Sequence, residues 1–252
     1  MKSFDKVYGL VGKSLGHSFS KDYFTKKFSD LNLDYSYQNI EIDNISDIIP
    51  FVKKNKDLKG FNVTVPYKEE IIPFLDEIDM TAKEVGAVNT VKIYEDGRLK
   101  GFNTDVVGFG KLLEESQSRR VAESQSVNEA LIFGSGGASK AVQYVLNQEN
   151  IPYKIVSRAC KSGMSYEKVN SIGFDPFSII INATPVGMYP NVNECLELPY
   201  STIESHNVFI DLIYNPEETL FLKNARLKGA ATFNGLTMLY EQAEAAWNIW
   251  DN

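Results

Sequence analysis

The sequence predicts an α/β protein built as two domains, and three observations carry that reading. From Glu129 onward, short apolar runs alternate with amphipathic stretches at helical spacing, the rhythm of a parallel sheet covered on both faces. A glycine-rich turn, Gly134-Ser135-Gly136-Gly137-Ala138-Ser139, stands between one such run and the helix after it. Before Asp105, a separate succession of strand and helix signals has its own hairpin. The domains are expected over residues 1–104 and 105–235, with an active-site cleft between them.

The elements follow in order. Lys6–Val11 alternates apolar and polar residues and ends at Gly12, which reads as a strand. After the loop 13–20, Lys21–Leu31 carries Tyr23, Phe24, Phe28 and Leu31 at helical spacing. Tyr35–Ile42 is a strand, Ile45–Val52 a helix, and Gly60–Val65 a β-branched strand. Pro66 suits a first helical turn, so Tyr67–Ile78 is expected to be helical. Ala87–Tyr94 and Arg98–Asn103 pair around Glu95-Asp96-Gly97, because Asp-Gly favours a tight hairpin turn. Asp105–Glu115 is amphipathic, with Val106, Phe109, Leu112 and Leu113 on one face, and Ser116–Asn128 has the composition of an exposed loop. Later strands are expected at Ala130–Phe133, Tyr153–Ser157, Ser178–Asn182, Val208–Ile213 and Ala230–Phe233, with helices at Ala138–Gln148 and Glu217–Leu227. Cys160–Pro176 leaves room for a short helix only. Leu236–Trp250 closes the chain as a helix with Leu239, Ala243, Ala246, Trp247 and Trp250 in one stripe.

Composition narrows the function. A chain of 252 residues with 43% apolar content can bury a sizeable core. Its net charge of −7 argues against a nucleic-acid binder, which needs a basic face. No apolar run approaches the roughly 18 residues that cross a membrane. Met1-Lys2-Ser3-Phe4-Asp5 has an acid where a signal peptide needs an apolar core, so a cytoplasmic protein without a targeting segment is expected. Cys160 and Cys195 are too few for a disulfide framework or a zinc cluster, and His17 and His206 are the only histidines. No metal site is expected, and a general acid or base must be sought among Lys, Asp, Glu and Tyr.

A dinucleotide site needs a strand, a glycine turn and a helix whose N-terminus faces the pyrophosphate. Ala130–Phe133, then Gly134, Ser135, Gly136, Gly137 and Ala138, provide them, although Ser139 replaces the third glycine of the usual fingerprint. After the next strand, Ser157-Arg158-Ala159-Cys160-Lys161 has no acid to grip ribose hydroxyls. Arg158, with Ser157 and Lys161, instead suits a 2′-phosphate, which a guanidinium binds in a fork, so NADP is the expected cofactor. A substrate half followed by a cofactor half points to a dehydrogenase.

The first half adds ordered motifs: Gly16-His17-Ser18-Phe19-Ser20, Asn62-Val63-Thr64-Val65-Pro66-Tyr67-Lys68, Gly86-Ala87-Val88-Asn89-Thr90 and Asn103-Thr104-Asp105. Taken singly, each has a structural explanation. Lys68 reads as a surface lysine, Asp105, Ser18 and Ser20 as helix caps, and Asn62 and Asn89 as strand-end residues. Together with Asn182-Ala183-Thr184-Pro185-Val186-Gly187-Met188 and Asn234-Gly235-Leu236-Thr237-Met238-Leu239 followed by Gln242, they closely resemble the shikimate dehydrogenase family along essentially the whole chain.

The resemblance implies an NADP-dependent reduction of 3-dehydroshikimate with Lys68 and Asp105 as the catalytic pair. It implies that Ser18 and Ser20 hold the substrate carboxylate and that Tyr214 approaches it from the second domain. Asn62, Thr64, Asn89 and Gln242 join them as substrate-binding residues. Thr184, Gly187, Met188 and Gly235 are implied on the cofactor side. Because Gln242 belongs with the substrate residues, helix 236–252 is expected to return to the first domain. The chain departs from the family where Lys21 replaces a common proline, Asn234 a common aspartate and Ala159 the threonine of a phosphate clamp. A broader quinate/shikimate dehydrogenase and a non-catalytic ligand-sensing relative remain open, as does a monomer or a homodimer. Two serines in the carboxylate loop speak against the first, and an intact Lys68 and Asp105 against the second.

Overall fold

A computed structural model describes residues 4–16, 18–121, 129–158 and 163–252. The chain divides into two compact units, residues 1–104 with 243–252 and residues 105–242.

The first unit is built on a mixed six-stranded sheet of order β2-β1-β3-β5-β6-β4. Strands β1 (Lys6–Gly12), β2 (Tyr35–Glu41) and β3 (Leu58–Val63) run parallel, joined through helices α1 (Phe19–Asp30) and α2 (Ile48–Lys54). Strands β5 (Thr90–Ile93) and β6 (Leu99–Phe102) form the antiparallel hairpin, and Gly97 takes the positive φ of +86° that its turn requires.

The expected helix over Tyr67–Ile78 breaks up. Only α3 (Tyr67–Glu70) is α-helical, followed by a 3₁₀ turn at Ile72–Phe74 and a two-residue strand, β4 (Glu77–Ile78). Pro73 cannot donate a helical hydrogen bond, and Leu75 is already extended at φ −100°, ψ 141°. Asp79 then caps α4 (Met80–Val85) by accepting from the Thr81 amide at 3.0 Å, and Gly86 ends it at φ +70°.

One face of this sheet is aromatic. Tyr8, Phe24, Phe28 and Tyr37 pack with Ala243, Ala246, Trp247 and Trp250 from the last helix, α9 (Leu236–Asp251). The Trp250 ring stacks on Tyr8 at 4.9 Å and donates its indole N–H to the Val91 carbonyl at 3.0 Å. A β-carbon at Gly60 would collide with that indole, which explains a glycine inside β3. Trp250→Ala is expected to destabilise the protein by about 3–5 kcal/mol, the usual cost of emptying a buried aromatic site. Denaturant unfolding measures it, and a loss below about 1 kcal/mol would mean that this cluster does not hold the helix.

The second unit has a five-stranded, wholly parallel sheet of order β11-β10-β9-β7-β8. Its strands are β7 (Ala130–Phe133), β8 (Tyr153–Val156), β9 (Ile179–Asn182), β10 (Val208–Asp211) and β11 (Ala231–Phe233). Residues of β7, β9 and β10 are buried on both faces, as a doubly covered parallel sheet demands. Helices α5 (Asp105–Val121) and α6 (Gly137–Gln148) cover one face, while α7 (Tyr166–Ile172) and α8 (Leu220–Leu227) cover the other. The short crossover before β9 is as brief as expected, with α7 only seven residues long.

Two expectations change here. Helix α5 runs on through Ser116 to Val121 where a loop was expected. Ser116 is fully buried and satisfies its hydroxyl by donating to the Leu113 carbonyl at 2.7 Å, so a polar residue sits on the packed face without an unpaired hydroxyl. Residues 122–128 of the expected loop lie outside the described residues. Helix α9 also does not return whole to the first unit. Leu236–Gln242 groups with the second unit and only Ala243–Asn252 with the first. Met238 explains this, because it is buried in the same cluster as Phe109 and Leu112 of α5, and Gly108 leaves no room for a β-carbon beside the Met238 carbonyl. No helix among the described residues is long and apolar enough to cross a membrane.

Candidate active site

In the first unit, backbone hydrogen bonds bring the sequence motifs together. The Thr64 amide donates to the Val11 carbonyl at 2.9 Å and the Val63 amide to the Asn89 carbonyl at 2.8 Å. The Val88 amide donates to the Lys68 carbonyl at 2.7 Å, and Asn103 Nδ2 to the Ala87 carbonyl at 2.9 Å. Thus the segments 62–68, 86–90 and 103–104 meet at one end of the strands β3, β5 and β6. Lys68 lies half-buried on α3, just past the cis Val65–Pro66 bond.

A buried polar network underlies this end of the sheet. Ser20 hydrogen-bonds the Tyr37 phenol, which donates to Asn62 Oδ1 at 2.8 Å. Burial pushes the Tyr37 phenol well above its ordinary pKa, so it stays a neutral donor. Asn62 Nδ2 donates to the Asn89 carbonyl at 3.2 Å and to Thr90 Oγ1 at 3.0 Å. Asn89 Oδ1 accepts from the Thr104 amide at 2.7 Å and from Thr90 Oγ1 at 3.1 Å. These bonds fix both amide orientations, because Oδ1 must face the donors. Asn62 therefore has both ends of its amide engaged within the protein, at 5% exposure. Thr90 and Thr104, neither singled out from the sequence as a site residue, hold Asn89 in place. Ser18 caps α1 through the Lys21 amide at 3.4 Å, and Ser20 lies in the helix's first turn.

In the second unit, Asp105 is the first residue of α5 and 5% exposed. Gly134 follows β7 at φ +108°, and a β-carbon there would stand 2.8 Å from the Ala183 carbonyl, so the turn needs glycine on two counts. Ser139 replaces the third fingerprint glycine without loss of packing, since it is fully buried and its hydroxyl donates to the Gly134 carbonyl at 2.7 Å. Among the described residues no side chain caps α6, whose cap residue is Gly136, and a β-carbon at Gly136 would meet nothing within 4 Å. Its first-turn amides are thereby open to an anion, which fits a pyrophosphate. Ser135 Oγ lies 3.0 Å from Ser157 Oγ, bridging the glycine turn to the end of β8, and Arg158 is exposed beside them. Lys161 lies outside the described residues.

The loops after β9 and β10 complete this unit's end. Asn182 Oδ1 accepts from the Thr184 amide at 3.0 Å and its hydroxyl at 2.7 Å. Gly187 is buried at φ +94°, and Met188 is exposed. Tyr214 is half-buried, and burial raises its phenol pKa. Gly235 lies against the Leu212 carbonyl, where a β-carbon would collide. Gln242 is half-buried and donates to the Leu239 carbonyl at 3.0 Å. At the end of β10, Asp211 is fully buried, and desolvation raises its carboxyl from 3.8 to about 6. The native state thus holds this proton more tightly than the unfolded chain, and the ionised carboxylate weighs against folding increasingly from about pH 4 to pH 6.

A mixed-sheet α/β unit followed by a parallel-sheet unit with a glycine turn after its first strand defines a two-unit protein of the dinucleotide-binding class. The profile of the shikimate dehydrogenase substrate binding domain matches residues 10–91. A shikimate dehydrogenase (NADP(+)) of Methanococcus maripaludis is 38% identical over 262 residues, spanning 97% of this chain and 91% of the relative. The structure of shikimate 5-dehydrogenase from Thermus thermophilus in complex with NADP(H) and shikimate is similar with a TM-score of 0.81 at 28% identity, covering 97% of this chain and 93% of that one. Quinate dehydrogenase from Corynebacterium glutamicum in complex with NAD gives a TM-score of 0.85 at 25% identity, covering 98% and 94% respectively. The chain belongs to the shikimate dehydrogenase family.

Proposed function

We infer that the chain is an NADP-dependent oxidoreductase that reversibly reduces 3-dehydroshikimate to shikimate, a step toward chorismate and the aromatic amino acids. The observation that carries this reading is 38% identity across 97% of the chain to a shikimate dehydrogenase (NADP(+)). The segments Asn62–Lys68 and Asn103–Asp105 are intact within it.

NADPH, when bound, supplies the hydride. Gly134, Ser135, Gly136, Gly137 and Ala138 would hold its pyrophosphate, Ser157, Arg158 and Lys161 its 2′-phosphate, and Thr184, Gly187, Met188 and Gly235 its nicotinamide end. Lys68 protonates the oxygen of the former carbonyl as the alkoxide develops, and its positive charge stabilises that oxygen beforehand. Asp105 orients the Lys68 ammonium and accepts from a ring hydroxyl. Thr64, Asn89 and Gln242 bind further hydroxyls. Asn62, engaged with Tyr37 and Thr90, acts by holding its neighbours. The enzyme would work in the cytoplasm as a monomer or homodimer, on a small acid and without nucleic acid or membrane.

Ser18 and Ser20, with Tyr214, take the substrate carboxylate. Alanine at either serine is expected to raise the substrate KM about tenfold, the loss of one charge-assisted hydrogen bond, with kcat little changed. An unchanged KM in both variants would reduce these serines to parts of the α1 cap. Similarity to a quinate dehydrogenase favours a second reading, in which quinate is the better substrate. Steady-state rates with shikimate and with quinate decide between them, and a tenfold preference for quinate would overturn the first.

A further inference from the structure

Two loops of the second unit, 183–190 and 212–219, leave neighbouring parallel strands and carry residues assigned above to the cofactor and to the substrate carboxylate. One buried side chain joins them. Asp211, the last residue of β10, accepts from Asn182 Nδ2 at 3.0 Å and from the Ile213 amide at 3.0 Å, both on Oδ1. Its Oδ2 accepts from Thr219 Oγ1 at 2.6 Å. Asp211 and Asn182 have no exposure, and Thr219 has 1%.

The three donors lead to different places. Through Asn182 the carboxylate reaches Thr184, whose amide and hydroxyl both bond Asn182 Oδ1, and Thr184 Oγ1 in turn accepts from the Val186 amide at 3.3 Å. Through Ile213 it fixes the residue before Tyr214. Through Thr219 it holds the residue that caps α8. The loops also touch directly, the Tyr189 amide donating to the Asn215 carbonyl at 3.0 Å.

We propose that Asp211 is a positioning residue: its carboxylate sets the relative placement of the Thr184–Met188 loop and of Tyr214, and so tunes cofactor and substrate binding together. The energetics fit a retained polar group. Burying this carboxyl is unfavourable, as its raised pKa records, and an apolar residue would avoid that penalty. An apolar residue would also leave the Ile213 amide and the Asn182 amide group without their shared acceptor. The proposal rests on the assigned roles of Thr184 and Tyr214.

The test uses three variants of the full chain, with NADPH affinity read by fluorescence titration, shikimate KM by rate, and loop order by hydrogen–deuterium exchange. Asn182→Ala cuts only the arm to the first loop. It is expected to weaken NADPH binding about fivefold and to speed exchange in residues 183–190, with the shikimate KM within about twofold of wild type. Asp211→Ala is expected to weaken both ligands and to loosen both loops. Asp211→Asn keeps an Oδ1 for Asn182 and Ile213 and is expected to restore both affinities to within about twofold. A purely structural role would lower stability and leave both affinities of the folded fraction unchanged. That result in Asn182→Ala, or an Asp211→Asn variant as impaired as Asp211→Ala, overturns the proposal. Should Asp211→Ala fail to fold, the other two variants decide it. A wild-type protein that does not reduce 3-dehydroshikimate with NADPH would instead defeat the functional reading itself.

Discussion

Lys68→Ala is expected to lower kcat by at least about a hundredfold, the scale on which losing a general acid is felt. Hydride addition to a ketone leaves an alkoxide, whose formation is uphill unless charge and proton are supplied on the spot. An ammonium does both, and alanine does neither. Affinity for NADPH is expected to stay within about twofold, because the glycine turn, Ser157 and Arg158 belong to the second unit, whereas Lys68 belongs to the first. The substrate KM is expected to move less than kcat, since the interaction is strongest when the oxygen is charged. Near-normal turnover in a folded Lys68→Ala protein would transfer the proton-donor role to a bound water.

Asp105→Asn is the second large effect, with an expected fall in kcat on the order of a hundredfold. The substitution keeps the shape of the side chain and one acceptor oxygen but removes the negative charge that, in the proposed mechanism, steadies the lysine. Its first position on α5 makes stability a useful control. A carboxylate at a helix N-terminus contributes about 0.3–1 kcal/mol through the helix dipole, so the variant should melt only slightly lower. A loss of several kcal/mol with normal kcat would make Asp105 a structural residue.

Much of this was legible in the sequence because the signals are local. The hairpin at Asp96-Gly97, the parallel strands from Ala130 onward and the glycine turn each depend on a few adjacent residues. The run Asn62–Lys68 was readable as a motif, and Ser18 and Ser20 as a pair. What stayed hidden depends on distant partners. Ser116 looks like loop material until the Leu113 carbonyl satisfies it inside a helix. Pro73 is a local reason to break the helix after Glu70, and the reading of Tyr67–Ile78 as one helix passed over it. Nothing near Asn62 in the chain signals that Tyr37, 25 residues earlier, engages its carbonyl oxygen. Asp211 and Asn182 lie 29 residues apart, and only the parallel pairing of β9 and β10 makes them neighbours. Helix α9 shows the same limit, because its apolar stripe was visible while its division between Gln242 and Ala243 depends on what each turn packs against.

The most direct measurement follows NADPH oxidation and shikimate formation together, with purified protein given 3-dehydroshikimate. The account predicts one shikimate formed for each NADPH consumed, at a rate at least about tenfold above that with NADH, as expected if Arg158 grips the 2′-phosphate. NADPH oxidation without shikimate, or a tenfold preference for NADH, would contradict it.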